Sequence, residues 1–127
     1  MNRPDNLWMV WRKRFSCAWR GLVIVLRDEP SGRVHALALG LVAGLGWWLN
    51  VGFLEWAVLA LAAGGVIAAE ALNTAVERLA DRVSLEREDS IRLVKDLAAG
   101  GVLAAVLGAV AAGLAILGPP LWLKLTG

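Results

Sequence analysis

The residues best suited to chemistry lie in one short stretch: Glu70, Asn73, Glu77 and Asp81, spaced three or four apart. At 3.6 residues per turn they fall within about 80° of one another on one helix face, and Glu70 lies on the order of 10 Å further along the axis than Glu77. Carboxylates and an amide oxygen are hard ligands suited to Mg²⁺, which takes one or two carboxylates and completes its shell with phosphate and water. Lys95-Asp96 adds a cation and a further acid. Metal-binding acids, a lysine and a candidate base are the parts that phosphoryl transfer needs. No His/Cys cluster of zinc type is present, since His35 stands alone and Cys17 has no partner. There is no glycine-rich phosphate loop either, and Gly100-Gly101 falls in an apolar run.

The elements that must carry this stripe are helices in an apolar medium. Of the 127 residues, 58% are hydrophobic and 19% charged, with a mean hydropathy of +0.62. A soluble domain is nearer half apolar, and a chain of this size still exposes about a third of its unfolded surface, so one compact core cannot hide the excess. Val34 to Leu54 carries no charge. Leu97 to Leu123 carries none either, and Pro119-Pro120 is expected to stop or kink that helix near a membrane exit. Between them, Trp56 to Ala69 is apolar and runs on through the acidic stripe. This pattern reads as an all-α integral membrane protein, a single domain over residues 1–127, with transmembrane helices at 34–52, 55–83 and 91–118. Residues 7–27 interleave Trp8, Trp11, Phe15 and Trp19 with Arg12, Lys13, Arg14 and Arg20, as in an amphipathic helix lying on a membrane surface.

Turns are expected at Asn50-Val51-Gly52 and between Ser84 and Ser90. Small residues recur at four-residue steps: Gly40 and Gly44, then Ala60, Gly64 and Ala68, then Gly100, Ala104, Gly108 and Ala112. They are expected to mark helix–helix contacts, where close backbone approach gives packing energy in lipid. A lone cysteine and the lack of a cleavage pattern argue against a disulfide scaffold and a secreted precursor.

If three spans alternate, every Lys and Arg except Lys124 shares one side, which the positive-inside rule makes cytoplasmic. Ten of the eleven acids fall there or just within it. A net charge of +2 gives no reason to expect a nucleic-acid partner. Each acid near a bilayer core costs about 2.5–3.5 kcal/mol on insertion scales, so a row of them needs a reason. Pairing with Arg78, Arg82 or a neighbouring helix would be a structural reason. Arg78 points off the stripe, however, and the stripe offers no basic residue at the depth of Glu70. Lys95 alone reads as a snorkelling lysine. The alternatives to an enzyme are a small non-enzymatic helical membrane subunit, pore-forming or for assembly, and a proton relay through Glu70.

The stretch Glu70-Ala-Leu-Asn73-Thr-Ala-Val-Glu77-Arg-Leu-Ala-Asp81, followed by Lys95-Asp96-Leu-Ala-Ala-Gly, resembles the signature of the small bacterial integral-membrane lipid kinases, the diacylglycerol kinase and undecaprenol kinase family. The similarity begins near Arg14-Phe15, includes Ala18-Trp19-Arg20-Gly21-Leu22, Glu29 and Arg33-Val34-His35, and runs to about Gly118. It implies a homotrimer in the bacterial cytoplasmic membrane, multi-pass, with its active site facing the cytoplasm. The implied reaction is transfer of the γ-phosphoryl of ATP, with Mg²⁺, to the hydroxyl of a membrane lipid alcohol.

The resemblance further implies Glu70 as general base, with Asn73 organising the site. Glu77 and Glu29 match the Mg²⁺ ligands, and Glu29, Glu77, Asp81, Glu86, Lys95 and Asp96 match nucleotide-binding positions. Arg14, Trp19 and Arg33, with Glu70, match the lipid entrance. The chain departs from the family at Pro30-Ser31-Gly32 and at Arg87-Glu88, which stand where Tyr-His is usual. Arg33-Val34-His35 and Ala98-Ala99-Gly100 look more like the undecaprenol kinases.

Overall fold

The computed structural model describes residues 6–83 and 88–127, and these form four helices: α1 (Leu7–Asp28), α2 (Pro30–Trp48), α3 (Phe53–Val83) and α4 (Asp89–Thr126). Glu86, expected to meet the nucleotide, lies outside the described residues. The all-helical expectation holds, and α3 and α4 are each long and apolar enough to cross a membrane. At about 1.5 Å per residue the 19-residue α2 is about as long as a hydrocarbon core is thick.

Local chemistry explains where the helices begin and end. Asn6 caps α1, its side-chain oxygen accepting from the Trp8 amide at 3.3 Å, a contact worth about 1 kcal/mol. Glu29 is the single extended residue between α1 and α2, as befits a residue before proline, and Pro30 opens α2 where a missing N–H costs nothing. At the far end of α2 the amides of Asn50 and Val51 bond back to the carbonyls of Trp47 and Gly46, both at 3.1 Å. Asn50 takes a φ of 53°, the left-handed residue such a helix ending requires. Glu55 then caps the start of α3: its Oε2 accepts from the Gly52 N–H at 2.6 Å. The turn expected at Asn50-Val51-Gly52 is therefore present in detail.

The helices alternate in direction. Glu29 at the start of α2 pairs with Arg78 near the end of α3, and Asp81 pairs with Lys95 near the start of α4. At the opposite end Lys124 donates to the Trp48 carbonyl at 3.0 Å and lies 4.7 Å from the centre of the Trp48 ring. The chief apolar cluster, Leu49, Leu59 and Leu117, sits toward that same end with Trp56 and Leu121 against it. Leu37, Leu41, Leu61, Leu72 and Leu107 remain exposed to at least 61%. Apolar surface on this scale demands lipid or another protein around it.

One expectation is corrected. Helix α4 does not stop near residue 118; it continues through Pro119 and Pro120 to Thr126. A proline inside a helix costs about 3 kcal/mol. Ile116, Leu117 and Leu121 flank the pair and pack against α2 and α3, which holds this turn in place. The stripes of small residues do not join helices within the chain: Gly40, Gly44, Gly64, Gly100 and Gly108 have no other part of the chain within 4 Å of where a Cβ would stand. The glycines that do permit close approach are others. A Cβ on Gly32 would collide with the Val25 carbonyl of α1, and one on Gly46 would meet the Trp56 ring at 2.8 Å.

Candidate active site

The acidic stripe of α3 divides once the helix is packed. Val66, Glu70 and Thr74, at four-residue steps, form a buried seam, while Glu77 and Asp81 are exposed beside it. Glu70 is 3% exposed. Both of its oxygens are engaged from α2: Ser31 Oγ donates to Oε2 at 3.0 Å, and His35 Nε2 lies 2.8 Å from Oε1. Burying a carboxylate without partners is prohibitive, so these contacts are what permit an acid here.

His35 therefore does not stand alone, and a basic group does lie at the depth of Glu70, supplied by α2 and not by the stripe. Sequence reasoning passed over Ser31 and His35 as site residues. Their signal was a four-residue spacing on the first two turns of a helix opened by Pro30, which puts both on one face.

Asn73 Nδ2 donates to Glu77 Oε1 at 3.2 Å, as the four-residue spacing of an amide and an acid allows. Its other atom, Oδ1, is buried with no hydrogen-bond partner. An orphaned amide oxygen beside a carboxylate fits a hard cation such as Mg²⁺. Among the described residues no three His, Cys, Asp or Glu side chains gather to hold a metal by themselves. Glu29 is engaged by Arg78 Nη2 at 2.6 Å, so the corner between α1 and α2 meets α3 next to Glu77.

Lys95 Nζ lies 2.5 Å from Asp81 Oδ1, which brings two of the expected nucleotide-binding residues together across α3 and α4. Asp96 is exposed and sits 3.9 Å from Arg92 one turn earlier. Pairs exposed in this way are worth at most about 1 kcal/mol, so their charges are available to a ligand. Of the residues expected at a lipid entrance, Trp19 is exposed and Arg14 lies 5.6 Å from the centre of the Trp11 ring. Arg33 Nε donates to the Arg27 carbonyl at 2.9 Å, so it closes the last turn of α1.

Below Glu70, α2, α3 and α4 line an apolar hollow of about 380 Å³ that is open on one side. Its lining includes Val42 from α2, Val66 and Ile67 from α3, and Val106 and Leu117 from α4. His35 is its polar residue, shared with Glu70. A buried acid, an unpartnered amide oxygen three residues further along the same helix and an apolar hollow beneath suit a hydroxyl carried on a hydrocarbon chain.

The sequence profile of prokaryotic diacylglycerol kinase matches residues 16–117. The chain belongs to that family. As a prokaryotic diacylglycerol kinase family member it is a lipid kinase, a phosphotransferase with an alcohol acceptor, and a membrane protein. Among its relatives, the undecaprenol kinase of Bacillus subtilis is 33% identical over 90 residues, covering 71% of this chain and 73% of the relative. A diacylglycerol kinase of Synechocystis is 34% identical over 108 residues, 84% of this chain and 62% of that longer protein. The diacylglycerol kinase of Escherichia coli is 29% identical over 93 residues, 73% of this chain and 76% of the relative. Every residue of the stripe, together with Glu29, Ser31, His35, Lys95 and Asp96, lies inside the span matched by this lipid kinase family.

Proposed function

We propose that this lipid kinase transfers the γ-phosphoryl of MgATP to the hydroxyl of undecaprenol or diacylglycerol, with Glu70 as general base. The observation that carries the reading is the Glu70 carboxylate itself, 3% exposed and held above an apolar cavity. Glu70 takes the proton of the lipid hydroxyl as its oxygen forms a bond to the γ-phosphorus. The bond from that phosphorus to the bridging oxygen breaks, ADP leaves, and the proton rests on Glu70.

Glu77 and the free Oδ1 of Asn73 would hold Mg²⁺, with Glu29 completing the protein's share once Arg78 releases it. When bound, the ion neutralises charge on the phosphates. Lys95, Asp81 and Asp96, with Glu86, would face the nucleotide, and exchange of Lys95 from Asp81 to a phosphate oxygen requires only a side-chain swing. Arg14, Trp19 and Arg33 would border the lipid's approach.

The reading includes three spans, α2 to α4, with α1 on the cytoplasmic surface of a bacterial inner membrane. Exposed Trp47, Trp48, Phe53 and Trp122 gather with Lys124 at one end, and exposed Trp8, Trp11, Phe15 and Trp19 lie on α1, which joins α2 at the other. Aromatic belts at two levels are what two membrane interfaces select. The reading also takes a homotrimer from the family resemblance; the open faces at Gly40, Gly64, Gly100 and Gly108 suit contact with a helix of another copy without setting the number of copies.

Purified protein in lipid nanodiscs, given labelled ATP and either undecaprenol or diacylglycerol, tests the reading. A phosphorylated lipid that disappears in Glu70→Gln supports it, and Glu70→Gln turning over like the wild type overturns the role of the base. Preference between the two acceptors names the substrate.

A further inference from the structure

Glu70 is the one acid on the α3 stripe with a buried carboxylate, and its partners come from a different helix. The pairs Arg78–Glu29 and Lys95–Asp81 exchange readily with solvent or ligand, whereas Ser31, exposed, and His35, half-buried, reach the buried Glu70 carboxylate from α2. A buried carboxylate held by such partners adds little to stability over a well-packed apolar residue. Its value lies in what it does to the carboxylate.

We propose that Ser31 and His35 are positioning residues that clamp the Glu70 carboxylate, one hydrogen bond to each oxygen, for attack by the lipid hydroxyl. The proposal rests on Glu70 accepting that hydroxyl's proton. Glutamate is a flexible side chain that loses much rotamer freedom when fixed, and proton transfer requires donor and acceptor in hydrogen-bond register. Ser31 Oγ at 3.0 Å and His35 Nε2 at 2.8 Å remove that freedom before substrate arrives. Each carboxylate oxygen offers two lone pairs, so one on each remains free for the hydroxyl.

The clamp also has a rigid base. Ser31 is the second residue of α2, fixed between Pro30 and Gly32, and Gly32 sits against the Val25 carbonyl where no side chain fits. His35 is one turn further on, and its ring forms part of the cavity wall. The corner from Glu29 to Gly32 therefore sets both the Glu29–Arg78 contact and the register of Ser31 against Glu70. The Pro30-Ser31-Gly32 departure from the family pattern thus becomes a structural device for placing the base.

The test compares His35→Leu, His35→Gln, Ser31→Ala and Glu70→Gln in nanodiscs, with lipid and ATP varied separately. Loss of one well-aligned hydrogen bond to a charged group is expected to lower kcat about tenfold in His35→Leu and in Ser31→Ala. KM for ATP is expected to stay within about twofold, because neither contact involves the nucleotide. His35→Gln, whose amide N–H has similar reach, is expected to recover most of the rate.

Infrared difference spectra with ¹³C-glutamate give a readout independent of turnover. The carboxylate band lost in Glu70→Gln should move in His35→Leu and return in His35→Gln. If Glu70→Gln is inactive while His35→Leu and Ser31→Ala keep wild-type kcat, the clamp fails and the base stands. If Glu70→Gln keeps its turnover, both fail. An unmoved carboxylate band in His35→Leu, a loss seen in KM for ATP, or a His35→Gln as slow as His35→Leu also overturns the clamp.

Discussion

Lys95 and Asp81 meet at 2.5 Å across α3 and α4, a cation from one helix held by an acid from the next. The pair is at least a third exposed on both sides, so it contributes little to stability and presents a charge that a phosphate can claim. Replacing Lys95 with Met is expected to weaken binding of a non-hydrolysable ATP analogue by roughly 10-fold to 100-fold, the worth of one charge-assisted hydrogen bond. Titration calorimetry measures it. Affinity equal to the wild type would remove Lys95 from the nucleotide site.

Glu70→Gln keeps the size of the side chain and removes its basicity. Turnover is expected to drop roughly 100-fold to 10,000-fold, the range for loss of a general base. The helical content by circular dichroism is expected to be unchanged, since Gln can still accept from Ser31 at its carbonyl oxygen. A fall in helicity would reassign Glu70 to a structural role.

Asn73 predicts the metal dependence. Its Oδ1 is buried and unpartnered, and its amide holds Glu77 at 3.2 Å. Asn73→Ala deletes both contributions, and Glu77→Gln deletes the carboxylate. Each is expected to raise the Mg²⁺ concentration for half-maximal activity by about tenfold or more, the scale on which supporting ligands act. Relaxation enhancement by Mn²⁺ gives the same comparison without turnover, and an unchanged metal titration in both variants would place the ion elsewhere.

The glycines separate contacts inside the chain from contacts between chains. Gly32→Ala forces a Cβ onto the Val25 carbonyl and is expected to cost about 1–3 kcal/mol in thermal or denaturant unfolding. Gly64→Leu faces open space in one chain, so it is expected to leave helicity intact and reduce the oligomer seen by light scattering. An intact oligomer in Gly64→Leu would show that this face meets lipid, not another copy.

The residues themselves establish a good deal. An apolar run, a Pro at a helix start, Asn-Val-Gly at a helix end and a 3,4-spaced row of Glu70, Asn73, Glu77 and Asp81 are local patterns. They determined the helical class, the turn after α2 and the acidic stripe, because helical periodicity and capping act within a few residues. The motif at this spacing also led to the family whose profile matches residues 16–117.

Tertiary structure alone decided which of these residues meet. Ser31 and His35 reach Glu70 from 39 and 35 residues away, and Arg78 reaches Glu29 across 49. It likewise decided that α4 runs through Pro119-Pro120, and that Gly32 and Gly46 are the close-packed glycines while the regular small-residue stripes stay open. A sequence pattern sets which side chains share one helix face. How far each helix is rotated and shifted against its neighbours depends on packing all of them together, and that rotation placed His35 beside Glu70.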